Sequence, residues 1–223
     1  MKKLFIGIIL LLLITNLVFA SQARTLFEKI RAKNDEYMPK SFSAVVNSDE
    51  VRRGLGTVPP RERLGRLYLL FMFHKEYGER LLIKNTTDNH KNMYAAYLSL
   101  YNDFKIFLKK DRTYQDFTAV YNWEIFRENA FQYQIKMQKK RNRAGDYFLL
   151  HVNKNSLLIT QVEKFTNGRV TDFYRLNYAQ IGRYRILNSF TFNGIIKGKR
   201  VYVSFFFSDF KINVNFTESN FYE

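Results

Sequence analysis

Apolar residues along most of this chain recur at every second position, the period of a half-buried β-strand. After Pro39, Phe42, Ala44 and Val46 fall on one side of a first strand, and Leu67 to Phe73 is a run apolar on both faces. Tyr77-Gly78 turns that run into Arg80 to Lys84, and a polar turn at Thr86 to His90 leads to Met93 to Leu98. Phe104, Ile106 and Leu108 then alternate with Lys105 and Phe107. Further on, Tyr133, Ile135 and Met137 alternate with glutamines and Lys136, and Arg141 to Gly145 turns the chain into Tyr147 to Val152. Ser156 to Phe165 and Arg169 to Tyr178 flank Asn167-Gly168, a pair that accepts positive φ at both residues and is therefore a strong hairpin signal. Tyr184 to Phe192 ends, on this reading, at a second such pair, Asn193-Gly194. Val201, Val203, Phe205 and Phe207 form one more alternating strand, and Phe210, Ile212, Val214 and Phe216 another.

Two stretches switch to a helical period. Ala23, Leu26, Phe27 and Ile30 predict an amphipathic helix over Ser21 to Lys33. Thr113-x-x-Asp116 has the form of a capping box, and Phe117, Val120, Tyr121 and Ile125 continue it at helical spacing. A second helix is therefore expected from Tyr114 to Asn129, with the only tryptophan, Trp123, inside it. Between Asn47 and Gly65, Gly54, Gly56, Pro59 and Pro60 break every period, which predicts a long loop carrying Arg52, Arg53, Arg61 and Arg63. About eleven antiparallel strands and two helices follow from these patterns. A long meander with one apolar face must close into a barrel, stack on a second sheet or be covered by helices. The expected fold is thus α+β, mainly β: a strongly curved sheet, an open half-barrel, with helices over its concave face. Two short helices cannot fill such a face, so an apolar cavity is the expected remainder.

The first twenty residues stand apart. Lys2 and Lys3 precede an apolar run from Leu4 to Val18, and Val18-Phe19-Ala20 offers small residues at the −3 and −1 positions of a cleavage site. Residues 1–20 are expected to be a secretory signal peptide and residues 21–223 a single domain. No cysteine follows the apolar run or occurs anywhere else, which excludes a lipid anchor on this chain, disulfides and thiol chemistry. An exported chain without cysteine suits a bacterial periplasm. His74, His90 and His151 lie too far apart in sequence to suggest a zinc site, and no nucleophile elbow or Gly-rich phosphate loop is present. Neither an enzyme nor a cofactor is expected.

Charge and aromaticity sharpen the picture. Lys and Arg number 36 against 20 acids, a net +16, and 22 Phe and 15 Tyr sit on otherwise clean alternators. Nucleic acid is not an expected partner of an exported chain with no recognised binding motif. Arg52, Arg53, Arg61 and Arg63 are instead candidate contacts to anionic headgroups or to an acidic membrane partner, worth about 1 kcal/mol per basic residue near a membrane surface. They can equally be a solvated loop.

The order helix, then Ser41-Phe42-Ser43-Ala44, then Gly65-Arg66-Leu67-Tyr68-Leu69, resembles the N-terminal part of the LolA-like lipoprotein-sorting family. Gly78-Glu79-Arg80-Leu81-Leu82-Ile83, followed by a polar turn and Asn92-Met93-Tyr94, resembles its central hairpin. The tail is also similar: Asn167-Gly168-Arg169-Val170, Phe192-Asn193-Gly194-Ile195, Phe207-Ser208-Asp209-Phe210-Lys211-Ile212-Asn213-Val214 and Ser219-Asn220-Phe221. The resemblance implies a non-enzymatic periplasmic carrier, monomeric, whose cavity holds the acyl chains of lipoproteins on their way towards the outer membrane. Its implied partners are acylated lipoproteins, an inner-membrane ABC-type release complex and an outer-membrane acceptor. Relatives carry an Arg-Pro pair that bonds the helical lid; here those positions read Leu70-Phe71, and Arg80 is the candidate substitute.

A carrier of this kind has a physical rationale. Exposing one sixteen-carbon chain to water costs about 12 kcal/mol at ~0.8 kcal/mol per methylene, and three such chains cost about 36 kcal/mol. Large, stiff aromatic side chains suit the lining. Candidate lining residues are Phe42, Leu69, Phe71, Phe73 and Ile83 on the early strands, and Phe205 and Phe207 on a late one. Phe117, Tyr121 and Ile135 complete the set. The alternative is a sensor or protein-interaction domain of the same fold, in which the helices fill the sheet and leave no cavity.

Overall fold

The computed structural model describes residues 22–87, 113–196 and 198–222. In chain order its elements are α1 (22–37), β1 (Ser41–Asn47), α2 (Asp49–Gly56), a 3-10 turn at Pro60–Glu62, β2 (Arg63–His74) and β3 (Gly78–Thr86). There follow α3 (Tyr114–Val120), β4 (Tyr121–Glu128), β5 (Gln132–Lys139), β6 (Tyr147–Asn153) and β7 (Ile159–Thr166). The chain ends with β8 (Arg169–Ile181), β9 (Tyr184–Ile196), β10 (Lys199–Ile212) and α4 (Ser219–Tyr222). Among the described residues, ten strands pair in the order β3-β2-β1-β10-β9-β8-β7-β6-β5-β4, one antiparallel sheet that does not close into a barrel. The mainly β class and the open antiparallel sheet agree with the sequence reading. The strands expected at Met93 to Leu98 and Phe104 to Leu108, and the signal peptide, lie outside the described residues.

Contacts group the chain into two compact units, one of Met1–Asn34 with Asp111–Val170 and the other of Asp35–Lys110 with Thr171–Glu223. In the first unit, Trp123 pairs with Met137, Ile125 with Ile135, Ile135 with Leu150, and Leu150 with Val162. Directly paired residues share a face of an antiparallel ladder, and Ile135, Met137 and Leu150 on this one are fully buried. Asn167 and Gly168 have φ of 52° and 75°, the left-handed conformation that the hairpin reading requires. The Gly168 amide donates to the Gly145 carbonyl at 2.9 Å, and the Asn167 amide to Asp146 Oδ1 at 2.8 Å, so the β5–β6 turn grips that hairpin.

The helix expected over Tyr114 to Asn129 is corrected. It starts where expected, because the Thr113 side chain accepts the Asp116 amide while Asp116 accepts the Thr113 amide, closing a capping box. It stops at Val120, and β4 begins at Tyr121. Helical and strand periods coincide over Tyr121 and Ile125, but Tyr121, Trp123 and Ile125 also alternate with Asn122 and Glu124. These aromatic and β-branched residues favour a pleated surface, and β5 supplies the ladder for it. Trp123 is therefore a strand residue.

Three corrections fall in the second unit. The expected loop over Asn47 to Gly65 is largely ordered as α2 and the 3-10 turn, with Asp49 and Glu50 in the first turn of α2 and Arg53 in its last, the distribution a helix dipole favours. The turn expected at Asn193-Gly194 lies inside β9, and the chain turns instead near Gly198, at φ 78°. Gly194 is needed for close approach rather than for a turn: a Cβ there would stand 2.2 Å from Asp172 Oδ1 and 2.5 Å from the Phe192 ring. Finally, Val201 to Ser208 and Phe210 to Ile212 are one strand, β10, bent at a bulge. Val45 pairs with Ser208 but Ser43 with Lys211, so Ala44 alone opposes two residues, of which Asp209 takes φ 51°. Residues 213–216 are not strand.

Candidate functional site

The second unit brings most of the expected lining together on one sheet face. On β1, Phe42, Ala44 and Val46 pair with Phe73, Phe71 and Leu69 of β2, and Leu69 pairs onward with Ile83 of β3. On the other side of β1, Val46 pairs with Phe207 of β10, and Phe205 of β10 pairs with Phe190 of β9. All of these positions share a face because each strand alternates in phase with its neighbour. Their rings form a continuous run. Centroid separations are 5.3 Å from Phe73 to Phe42, 5.6 Å from Phe42 to Phe71, and 5.6 Å from Phe71 to Phe207. The run continues over 6.4 Å from Phe207 to Phe190 and 4.6 Å from Phe190 to Phe205. Such pairs add about 0.5–1.5 kcal/mol each beyond their buried area.

This face is covered. Phe42, Leu69, Phe71 and Phe205 are each at most 5% exposed, and Phe207 is 9% exposed. Phe190, Phe192 and Tyr174 belong to the same face and were not among the expected lining residues. Their signal was present: Phe190 and Phe192 alternate with Ser189 and Thr191. At its far end the buried Asp172 accepts the Ile195 amide at 3.0 Å, filling the notch that Gly194 leaves.

Phe117, Tyr121 and Ile135 lie in the first unit, Phe117 and Tyr121 in an aromatic cluster and Ile135 in the buried ladder opposite Ile125 and Leu150. Phe27 of α1 stands 5.1 Å from Phe117 and 5.4 Å from Trp123, and Phe117 stands 5.1 Å from Tyr121. The indole Nε1 of Trp123 is buried with no hydrogen-bond partner among the described residues. Phe27 was visible in the helical pattern but not in the candidate set.

The four arginines do not form one free patch. Arg52 pairs with Asp49 and Arg53 with Glu50, while Arg63 donates to the Val58 and Gly56 carbonyls at 2.7 and 2.9 Å. Arg61 sits exposed in the 3-10 turn. Arg80 donates to the Asn220 carbonyl of α4 at 2.8 Å, so it fastens the C-terminal turn.

Two histidines are held by polar partners, one in each unit. In the first unit, His151 Nε2 lies 3.2 Å from Glu163 Oε1, and Gln161 donates to the same carboxylate at 2.6 Å. In the second, His74 Nδ1 accepts the Glu76 and Tyr77 amides, and its ring stacks on Tyr77. Burial lowers the His74 pKa below its ordinary 6.5, with Glu76 pulling it up and Lys40 down. Burial also pushes the Tyr178 phenol well above its ordinary range. Among the described residues, no three His, Asp or Glu side chains gather in a metal-binding arrangement.

No family model and no curated protein matches the chain. Among solved structures it is similar to a LolA superfamily protein from Nitrosomonas europaea, at 13% identity over 87% of this chain and 96% of that one, with a TM-score of 0.46. It is also similar to an outer membrane lipoprotein-sorting protein domain from Vibrio parahaemolyticus, at 11% identity over 91% of this chain and 97% of that one, with a TM-score of 0.47.

Proposed function

We propose that the chain is a non-enzymatic carrier whose phenylalanine-lined sheet face takes up the acyl chains of lipoproteins and shields them from water. On this reading residues 1–20 direct export to the periplasm, and the remaining chain, one functional domain, acts there as a monomer. The partners are acylated lipoproteins, an inner-membrane ABC-type release complex and an outer-membrane acceptor. One observation carries the reading: the unbroken ring contact from Phe73 to Phe205 across β2, β1, β10 and β9. Apolar and stiff, it suits methylene chains better than a polar ligand. Phe42, Leu69, Phe71, Phe73, Ile83, Phe205 and Phe207 are its binding residues; Phe117, Tyr121 and Ile135 belong to the first unit and are no part of this ring run.

The near-complete burial of Phe42, Leu69, Phe71 and Phe205 favours a second reading, in which the face is permanent core and the protein is an interaction domain. Under the carrier reading the covering groups must leave the face when cargo arrives, and cargo binding supplies the free energy for that shift. The two readings separate on one preparation. Titration with a fluorescent fatty acid, competed by a triacylated lipopeptide, gives saturable binding to the wild type if the chain is a carrier. Phe205→Asp then removes that binding and the release of lipoprotein from spheroplasts, with thermal melting on the same sample reporting whether it folds. A wild type that never takes up the probe contradicts the carrier.

A further inference from the structure

We propose that the opposite face of the second unit's sheet holds a separate binding site for a single-chain amphiphile with an anionic headgroup. A hollow of about 980 Å³ opens there between α2 and strands β1, β2 and β10. Val45, Tyr68, Leu70 and Phe206 line it alongside the charged groups Asp49, Arg52, Arg66, Asp209 and Lys211. Two features set it apart from an ordinary solvated sheet face.

The first is its apolar content. On this face of β10, the neighbours of position 206 are Ser204 and Ser208, yet Phe206 is 56% exposed, and Tyr202, two residues beyond Ser204, is 63% exposed. A half-open ring beside Tyr68, Leu70 and Val45 gives a hollow with an apolar wall, the arrangement of a small-ligand site rather than of a flat protein interface. Its volume lies at the upper end of the ~300–1,000 Å³ usual for such sites, room for one chain and a headgroup.

The second is charge. Asp49 is occupied by Arg52, and Asp209 accepts the Ser208 hydroxyl at 3.3 Å. Arg66 and Lys211 form no ion pair among the described residues. Asp209 is the one carboxylate of the lining left against these two cations, so the hollow keeps a net positive charge beside its apolar wall, in a chain of net charge +16, which calls for an anionic group joined to an apolar tail. A zwitterionic headgroup would bring its own cation against Arg66 and Lys211.

The site is independent of the carrier reading, because it uses the alternate residues of the same strands. Its test is calorimetric titration of the purified protein with lysophosphatidic acid below its micelle concentration, beside lysophosphatidylcholine. Saturable one-to-one binding of the anionic lipid is expected, weakened by salt and by about tenfold or more in the Arg66→Glu, Lys211→Glu double variant, a loss of about 1.4 kcal/mol per factor of ten. Both side chains are exposed, so the variant is expected to fold, and circular dichroism checks it. Equal binding of the two lipids, affinity unmoved by the double reversal, or displacement of the bound lipid by a triacylated lipopeptide overturns the proposal. Absence of lipopeptide binding contradicts the carrier alone.

Discussion

Phe205, Phe206 and Phe207 are consecutive on β10, yet Phe205 is 3% exposed and Phe206 is 56% exposed. Identical side chains a peptide unit apart meet opposite fates because the strand period turns them to opposite faces. Phe205 stacks on Phe190 at 4.6 Å and joins a ladder of rings, whereas Phe206 lies across from Ser189 and Asn47 and borders a hollow. Hydrophobicity alone does not place a residue in a core; the cross-strand partners do.

The sharpest break of this comparison is Phe205→Ala. It removes a ring from a packed ladder and is expected to cost about 3–5 kcal/mol, read as a lower urea midpoint. Gly194→Ala attacks the same face from its end. The added methyl meets Asp172 Oδ1 and the Phe192 ring, and overpacking of this kind costs about 1–3 kcal/mol. A Gly194→Ala variant as stable as the wild type would show that β9 accommodates a side chain there.

Smaller effects test the edges. Thr113→Ala opens the capping box of α3 and is expected to cost about 1 kcal/mol, while Thr113→Asn recovers most of it. His74 gives a pH signature. Its folded-state pKa lies below the unfolded value of 6.5, so the unfolded chain binds more protons below that pH. Its contribution is complete above pH 6.5 and is lost as pH falls from 6.5 through the lowered folded value. Urea midpoints at pH 7 and 5 are expected to lie closer together in His74→Gln than in the wild type. Least affected is Phe206→Ser, within about 0.5 kcal/mol of the wild type, as for exposed positions generally. A large loss there would erase the contrast with Phe205.

Much of the apolar face was legible because period two survives in Phe42, Ala44 and Val46, in Leu69, Phe71 and Phe73, and in Val203, Phe205 and Phe207. Turn chemistry was legible at Asn167-Gly168 and misleading at Asn193-Gly194. The same dipeptide serves the second site through the missing Cβ rather than through positive φ, and only the position of Asp172 tells the two uses apart. The end of α3 was hidden because Tyr121 and Ile125 satisfy both periods; the partner strand β5 decides. The hollow on the opposite face was not legible at all. It depends on α2 forming where Gly54, Gly56 and two prolines suggested a loop, and on strands distant in sequence bringing Arg66 and Lys211 to one place.

The central claim is that the phenylalanine face receives acyl chains, and native mass spectrometry of the protein after incubation with a triacylated lipopeptide tests it most directly. The account predicts a one-to-one complex, lost when Phe205→Asp changes the lining and retained in the Arg66→Glu, Lys211→Glu variant of the opposite face. A spectrum showing only the unliganded mass for the wild type, across lipopeptide concentrations well above the protein's, would contradict it.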